Sequence, residues 1–181
     1  MKYVAFLFSC SLLLACGGGQ QETPADVAAR IRAMEDSVFE GLNFDKRRAL
    51  ALVDVYKAYA NANPLDTMAP EYLFRAANVA KSLHEGEAGI ALYDRIIKDY
   101  PGWGRLADVY YLKAFTIDSE LGHKGEAEAA YREVIAKYPD HAFAKDAKAM
   151  IENLQYTDEQ LIQRFQAMQD SADAAGASAV Q

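Results

Sequence analysis

Cysteine is almost absent from this sequence of 181 residues, and both copies, Cys10 and Cys16, lie near the start. A chain without cysteine after residue 16 has no disulfide to join distant segments, so a hydrophobic core has to hold its fold. Apolar runs of the roughly 20 residues that a membrane-spanning helix needs are also missing. No long segment alternates apolar and polar residues, which disfavours β-sheet. Together these absences favour a helical domain with a core of its own.

The composition agrees with this expectation and narrows the class of partner. Hydrophobic residues make up 51% of the chain and charged residues 25%, which is ordinary for a globular protein. Alanine is abundant, which favours helix. The formal net charge is −7, and this sign opposes binding to nucleic acid or to anionic lipid. We therefore predict an all-α fold and no nucleic-acid partner.

The first 15 residues have the form of an export signal. Lys2 is followed by an apolar stretch over 3–15 that ends in the small residue Ala15. A basic start, a hydrophobic region of about 7–15 residues and a small residue are the elements of a secretory leader. We therefore assign 1–15 to a signal peptide that is removed from the mature chain.

The end of this leader resembles the lipobox of bacterial lipoproteins, with Leu13, Leu14 and Ala15 directly before Cys16. The resemblance implies that Cys16 is lipidated, and two or more acyl chains hold a protein firmly on a membrane. The glycine-rich segment 16–22 then serves as a flexible tether. Gly17, in place of Asp, resembles lipoproteins sent to the outer membrane, with the domain facing the periplasm. The alternative is an ordinary secretory leader with an incidental cysteine.

A repeat marks the middle of the chain. Three prolines lie 37 and 38 residues apart, and each follows a tyrosine by eight residues. The segments 86–101 and 125–139 both begin Gly-Glu-Ala and both end Tyr-Pro. Because a proline ends a helix, this phasing predicts a repeated helical unit. The repeat-defining residues are Tyr56, Tyr93, Tyr131, Pro64, Pro101 and Pro139.

Helical periodicity predicts eight helices within a domain over 23–170. Thr23 and Pro24 start the first, Asn43 caps the second, and Pro70 begins the third. The next four are predicted over 86–100, 104–121, 125–138 and 141–154. A capping box of Thr157 and Gln160 starts the eighth. The small, polar segment 171–181 is predicted to be disordered.

The paired helices and the Tyr–Pro spacing resemble the tetratricopeptide repeat. The resemblance implies a superhelix of helical hairpins, with copies near 24–64, 70–101 and 104–139 and a C-terminal cap over 141–170. It also implies that the first helix of each hairpin lines a groove for peptides. The alternative is a helical bundle with coincidental prolines. In the second copy the groove residues are Glu71, Phe74, Asn78 and Lys81, although packing or solvation would also explain them.

The sequence leaves some residues of the third copy and of the turns without a definite role. The groove residues of the third copy stay unassigned, because the register of its first helix is ambiguous by one residue. Trp103, between two copies, is interpreted as a plug in the packing, and the alternative is an exposed anchor. His84, His123 and His141 lack the spacing of a metal site and are expected in solvated turns.

No catalytic, phosphate-binding or metal-binding motif accompanies the repeats. We therefore predict a protein without enzymatic activity, cofactor or metal. It would act as a membrane-anchored scaffold or adaptor for other proteins or peptide segments of the bacterial cell envelope. Outer-membrane protein assembly and secretion are two processes in which such an adaptor works. The alternative is a small exported enzyme or solute-binding lipoprotein with a helical body, and it requires a pocket with converging polar groups.

Overall fold

The structure, a computed structural model, describes residues 22–39 and 45–178, and these residues contain eight α-helices and no β-strand. The predicted leader over 1–15, Cys16 and all of the tether before Glu22 lie outside the described residues and remain predictions. The helices are α1 (Pro24–Phe39), α2 (Lys46–Ala62), α3 (Met68–Ser82), α4 (Gly86–Asp99), α5 (Leu106–Ser119), α6 (Lys124–Lys137), α7 (Ala142–Asn153) and α8 (Asp158–Ser178).

The helices pack in chain order, and this order confirms the predicted all-α superhelix. Each helix from α1 to α6 packs on the next, and α5 also contacts α7. The buried side chains form two clusters, one centred on α1–α4 and one on α5–α7. A closed bundle would gather all helices around one interior. Contacts between neighbours along the chain are instead typical of stacked helical hairpins.

Three of the four even-numbered helices, α2, α4 and α6, end in the same way. Each ends two residues before its proline, at Ala62, Asp99 and Lys137. The residues that follow have nearly identical backbone angles, with φ between −129° and −132° and ψ between 55° and 58°. A proline disfavours helical geometry in the residue before it, so the break falls at the same place each time. Coincidental prolines in a bundle do not explain this recurrence.

The repeated tyrosines belong to the same three helices, and their side chains are buried in the core. Tyr56 is 1% exposed, and Tyr93 and Tyr131 are fully buried. The close approach of α3 and α4 requires a small residue at Gly89. A Cβ atom added to Gly89 would lie 3.2 Å from the backbone oxygen of Ala77 on α3. A larger side chain there would force α3 and α4 apart.

Two of the predicted helix starts are confirmed and two are corrected. The backbone amide of Asp26 donates to Thr23 Oγ1 at 3.2 Å before α1. The amide of Gln160 donates to Thr157 Oγ1 at 3.3 Å, and Gln160 Oε1 accepts from the amide of Thr157 at 2.9 Å. The predicted cap of α2 at Asn43, a residue outside the described ones, is wrong. The cap is Asp45, which accepts from the amides of Arg47 and Arg48 at 2.9 and 3.3 Å.

The third helix begins at Met68, two residues before the predicted start at Pro70. Proline is tolerated in the first turn of a helix, because amide groups there have no partner within the helix. Pro70 therefore lies in the first turn of α3, as predicted, but it is not the first residue of the helix.

The C-terminal helix α8 differs from the prediction in two ways. It runs to Ser178, so 171–178 is helical where disorder was predicted, as the high helix propensity of its alanines allows. It also leaves Ile162, Phe165 and Met168 more than half exposed, so it covers the preceding helices less than a cap would. Among the helices of the described ranges, none combines the length and the apolar character that a bilayer span requires.

Candidate partner-binding face of the odd-numbered helices

Side chains of α1, α2 and α3 line a groove with a volume of about 420 Å³, which we call the α1–α3 groove. Most of its accessible lining surface is apolar, and Phe39, at the end of α1, is 60% exposed. The buried stripe of α1 includes Ile31 and Val38, so Phe39 points about 100° away from it. The groove is lined by Glu35, Phe39, Tyr56, Arg75, Asn78, Val79 and Ser82.

One edge of the groove carries a row of alternating charges that links α1, α3 and the start of α5. Arg75 donates to Glu35 at 2.7 Å and to Glu71 at 3.0 Å. Arg105 donates to Glu71 at 2.9 Å and to Asp108 at 3.0 Å. We call these five residues, Glu35, Arg75, Glu71, Arg105 and Asp108, the charge ladder. Its pairs are charge-assisted hydrogen bonds, and such bonds fix geometry more strongly than neutral ones.

Arg75, the cation of the ladder that joins α1 and α3, stays charged. Burial by itself lowers the pKa of Arg75, whereas its hydrogen bonds to Glu35 and Glu71 raise it, and the second effect prevails. The side chains of Glu35 and Glu71 are only 18% and 21% exposed, so water competes weakly for them. Removing Arg75 would therefore leave two poorly solvated carboxylates without their shared partner.

Each repeated tyrosine donates its hydroxyl to a polar side chain on the preceding odd-numbered helix. Tyr56 donates to Glu35 at 2.6 Å, and Tyr93 donates to Asn78 at 2.7 Å. Tyr131 reaches Asp118 at the longer distance of 3.4 Å. Burial raises the pKa of all three tyrosines, so the hydroxyl groups remain donors at neutral pH. We call these three contacts the hydroxyl sites.

The four predicted groove residues do not form one free surface. Glu71 belongs to the charge ladder, and Asn78 is the only one of the four that lines the α1–α3 groove. The Lys81 Nζ atom lies 4.7 Å from the ring centre of Phe115 on α5. Phe74 is 5% exposed, so it offers little surface to a partner.

The turn before α5 explains why Phe74 is covered. The guanidinium of Arg105 lies 4.2 Å above its ring, and the ring of Trp103 meets it edge-on at 5.7 Å. The interpretation of Trp103 as a packing plug is thereby confirmed. Both covering residues come from a turn, where helical periodicity gives no information about which side chains fold inward.

A second cleft of about 420 Å³ lies in the third copy, whose groove the sequence left unassigned. Phe115, Asp118 and Ser119 come from α5, whereas Met150 and Asn153 come from α7. We call this feature the α5–α7 cleft. Gly122, Lys124, Leu154, Tyr156 and Leu161 complete its lining.

The histidines are placed as predicted, in turns or at helix starts. His84 follows α3 with a positive φ of 59°, and its Nδ1 atom lies 2.9 Å from a Glu120 oxygen. His123 and His141 are the residues that precede α6 and α7. Within the part of the chain that the structure describes, no three histidine, cysteine or acidic residues gather closely enough to hold a metal ion.

Comparison with known proteins adds no relative. No model of a protein family matches the sequence, and a search of curated proteins finds no significant match.

Proposed function

We propose that this chain is an adaptor of the tetratricopeptide type that holds a segment of another envelope protein on its odd-numbered helices. The support for the repeat type is the common ending of α2, α4 and α6, together with the buried tyrosines behind it. Stacked hairpins of this kind leave an elongated face, and such faces suit extended peptides or helices.

The exposed phenyl group of Phe39 beside the α1–α3 groove is the observation that carries this proposal. An aromatic side chain that is 60% exposed next to an apolar groove gains free energy when a partner covers it. The ordered polar groups of Glu35, Arg75 and Asn78 stand in the same groove. They would orient the polar backbone of a bound segment while its apolar side chains contact Phe39 and Val79.

The envelope location is proposed from the leader and Cys16 alone. A lipid on Cys16 would hold the domain at a membrane surface, where the tether leaves the groove accessible. Palmitate labelling tests this anchor directly. We expect labelling of the natural chain and none of the Cys16→Ala chain, and equal labelling of both would contradict the anchor.

The groove is tested by a photo-crosslinking amino acid placed at residue 39 in native membranes. The matched control is residue 65, because Leu65 is also an exposed apolar residue, at 97%, but lies in the turn between α2 and α3. We expect one envelope protein to crosslink from residue 39 and not from residue 65. Equal crosslinking from both positions would contradict the assignment.

The captured partner is then measured against purified variants. Phe39→Ala should weaken its affinity by about tenfold or more, as expected of an aromatic contact at an interface centre. Leu65→Ala should leave the affinity unchanged, and neither variant should alter the melting temperature much, because both side chains are largely exposed.

A further inference from the structure

The α5–α7 cleft contains a carboxylate whose surroundings differ from those of its counterpart in the first copy. Asp118 is half-buried in the cleft wall and accepts one long hydrogen bond, from Tyr131 at 3.4 Å. No lysine, arginine or histidine within the described ranges forms an ion pair with it. The neighbouring walls are Phe115, Met150 and Leu154, which are apolar.

The first copy shows what the same arrangement does when a cation is present. Glu35 accepts the hydroxyl of Tyr56 at 2.6 Å, and the guanidinium of Arg75 approaches the same oxygen at 2.7 Å. Arg75 comes from α3, the next odd-numbered helix. In the third copy the next odd-numbered helix is α7, and it contributes Met150 and Asn153 to the cleft, neither of them charged.

The second copy shows that a carboxylate is not needed to hold the tyrosine. Tyr93 donates to the neutral Asn78 at 2.7 Å, a shorter distance than that from Tyr131 to Asp118. An asparagine would therefore hold Tyr131 as well as Asp118 does, and the negative charge of Asp118 is not needed for this contact. A carboxylate next to apolar walls is costly unless a cation pairs with it.

Among the described residues that line the cleft, the one cation, Lys124, is already engaged. Lys124 Nζ donates to the backbone oxygens of Leu154 and Tyr156 at 2.9 and 3.3 Å. Burial raises the pKa of the Asp118 carboxyl, and it prevails over the hydrogen bond from Tyr131 and the field of Lys124, which both lower it. The free volume beside Asp118 is therefore next to a carboxylate that stays poorly compensated.

We propose that the α5–α7 cleft accepts an arginine side chain of a partner protein, with Asp118 as its counter-charge and Phe115 and Met150 as apolar walls. The proposal rests on the adaptor function and names the chemistry of one contact. The guanidinium would take the place beside Asp118 that Arg75 takes beside Glu35. Its aliphatic stem would cover the apolar walls, as arginine stems do at interfaces. The negative net charge of the chain suits a basic partner segment.

The first test uses a small probe and needs no partner. N-acetyl-arginine methylamide is titrated into the full chain, purified from membranes in detergent, and backbone amide shifts are followed by NMR. The citrulline analogue is the matched control, because it has the same shape without the charge. We expect the arginine probe to shift amides around Phe115, Asp118 and Met150 with millimolar affinity, and the citrulline probe to shift them far less.

Asp118→Asn supplies the matched protein variant, since the second copy uses asparagine at the corresponding hydroxyl site. We expect it to weaken the arginine probe roughly tenfold, the change typical for the loss of one charge-assisted contact. If both probes bind alike, or if Asp118→Asn leaves arginine binding unchanged, the assignment is overturned. Failure of this test leaves the crosslinking result from residue 39 standing, so the two proposals fail separately.

A second test places the arginine within the chain. Met150→Arg, from α7, recreates the arrangement of Arg75 beside Glu35. We expect Met150→Arg to raise the melting temperature more in the natural chain than in the Asp118→Asn chain. An effect of the same size in both chains would contradict a guanidinium site at Asp118.

Discussion

The first and third copies of the repeat have the same packing and different electrostatics. In both, a tyrosine that is at most 1% exposed belongs to a helix that ends two residues before a proline. In the first copy the hydroxyl contacts Glu35, which Arg75 neutralises across the α1–α3 groove. In the third copy it contacts Asp118 at the longer distance of 3.4 Å, and no cation of the described residues pairs with that carboxylate. Packing therefore sets the shape of each hairpin, while the polar partner of the tyrosine is free to differ.

The links between successive odd-numbered helices differ in the same way. Ion pairs of the charge ladder join α1, α3 and the start of α5. Between α5 and α7 the link is aromatic, since the rings of Tyr111 and Phe143 stack at 4.4 Å and are parallel within 5°. The N-terminal part, from α1 to the start of α5, is thus held partly by ion pairs, and the C-terminal part, α5 to α7, by apolar contact. Salt and pH should act on the two ends differently.

The largest effect is expected where the two copies are alike. Tyr56→Ala and Tyr131→Ala each remove a buried aromatic ring, and each should lower the free energy of unfolding by about 3–5 kcal/mol. Urea unfolding followed by circular dichroism measures both losses. If one variant lost much less than the other, the packing of the two copies would not be equivalent and the comparison would fail.

A smaller loss of stability should distinguish the charge ladder from an ordinary ion pair on the surface. Arg75→Ala leaves Glu35 and Glu71 without their shared cation, and we expect a loss of about 1–3 kcal/mol. Arg132→Ala is the control, because Arg132 pairs with Glu128 on the exposed surface of α6 and such pairs contribute about 0.5 kcal/mol or less. High salt should reduce the difference between the two variants, and equal losses would contradict a structural role for the ladder.

The sequence predicted the features of the fold that depend on local chemistry. Thr23 and Thr157 start helices because their hydroxyls satisfy amides only three residues away, and Pro139 ends a helix by its own geometry. Each of these signals lies within a few residues of its effect, so a single sequence is enough to see it. The repeated tyrosines were visible for another reason, because their spacing recurs along the chain.

The candidate site was harder to predict because its contacts join distant residues at unequal intervals. Glu35 and Arg75 are 40 residues apart, whereas Glu71 and Arg105 are 34 apart. A strict repeat therefore misplaces the charged face. Phe74 shows a second limit, because its cover comes from a turn. In α8, Phe165 continues an apolar stripe that the sequence shows, but nothing in that stripe says whether another helix packs on it.

Removal of the tyrosine hydroxyls should sharpen the comparison between the hydroxyl sites. Tyr56→Phe loses a hydrogen bond of 2.6 Å to a carboxylate, and we expect it to cost about 1–2 kcal/mol. Tyr131→Phe loses a contact of 3.4 Å, at the limit of hydrogen-bond length, and should cost less than about 0.5 kcal/mol. Thermal unfolding of the two variants at one pH measures the difference. Equal costs would show that the longer distance does not mark a weaker site.

The smallest effect concerns the charges themselves, and its sign should differ between the two copies. Burial raises the pKa of Asp118 in the folded chain, so its carboxyl favours folding below its unfolded pKa of about 3.9 and loses this advantage as pH rises. Asp118→Asn should therefore be neutral or stabilising at neutral pH, by less than about 1 kcal/mol because solvent screens the group.

Two controls give this last prediction its force. The gain from Asp118→Asn should shrink as the pH falls through the raised pKa, because the natural carboxyl then becomes neutral as well. Glu35→Gln should instead lower stability at neutral pH, since it removes the charge that faces Arg75. Melting temperatures of both variants from about pH 3 to about pH 8 measure these trends. If Asp118→Asn destabilised the chain as Glu35→Gln does, Asp118 would already have a cation within the fold, and its cleft would have no charge to offer a partner.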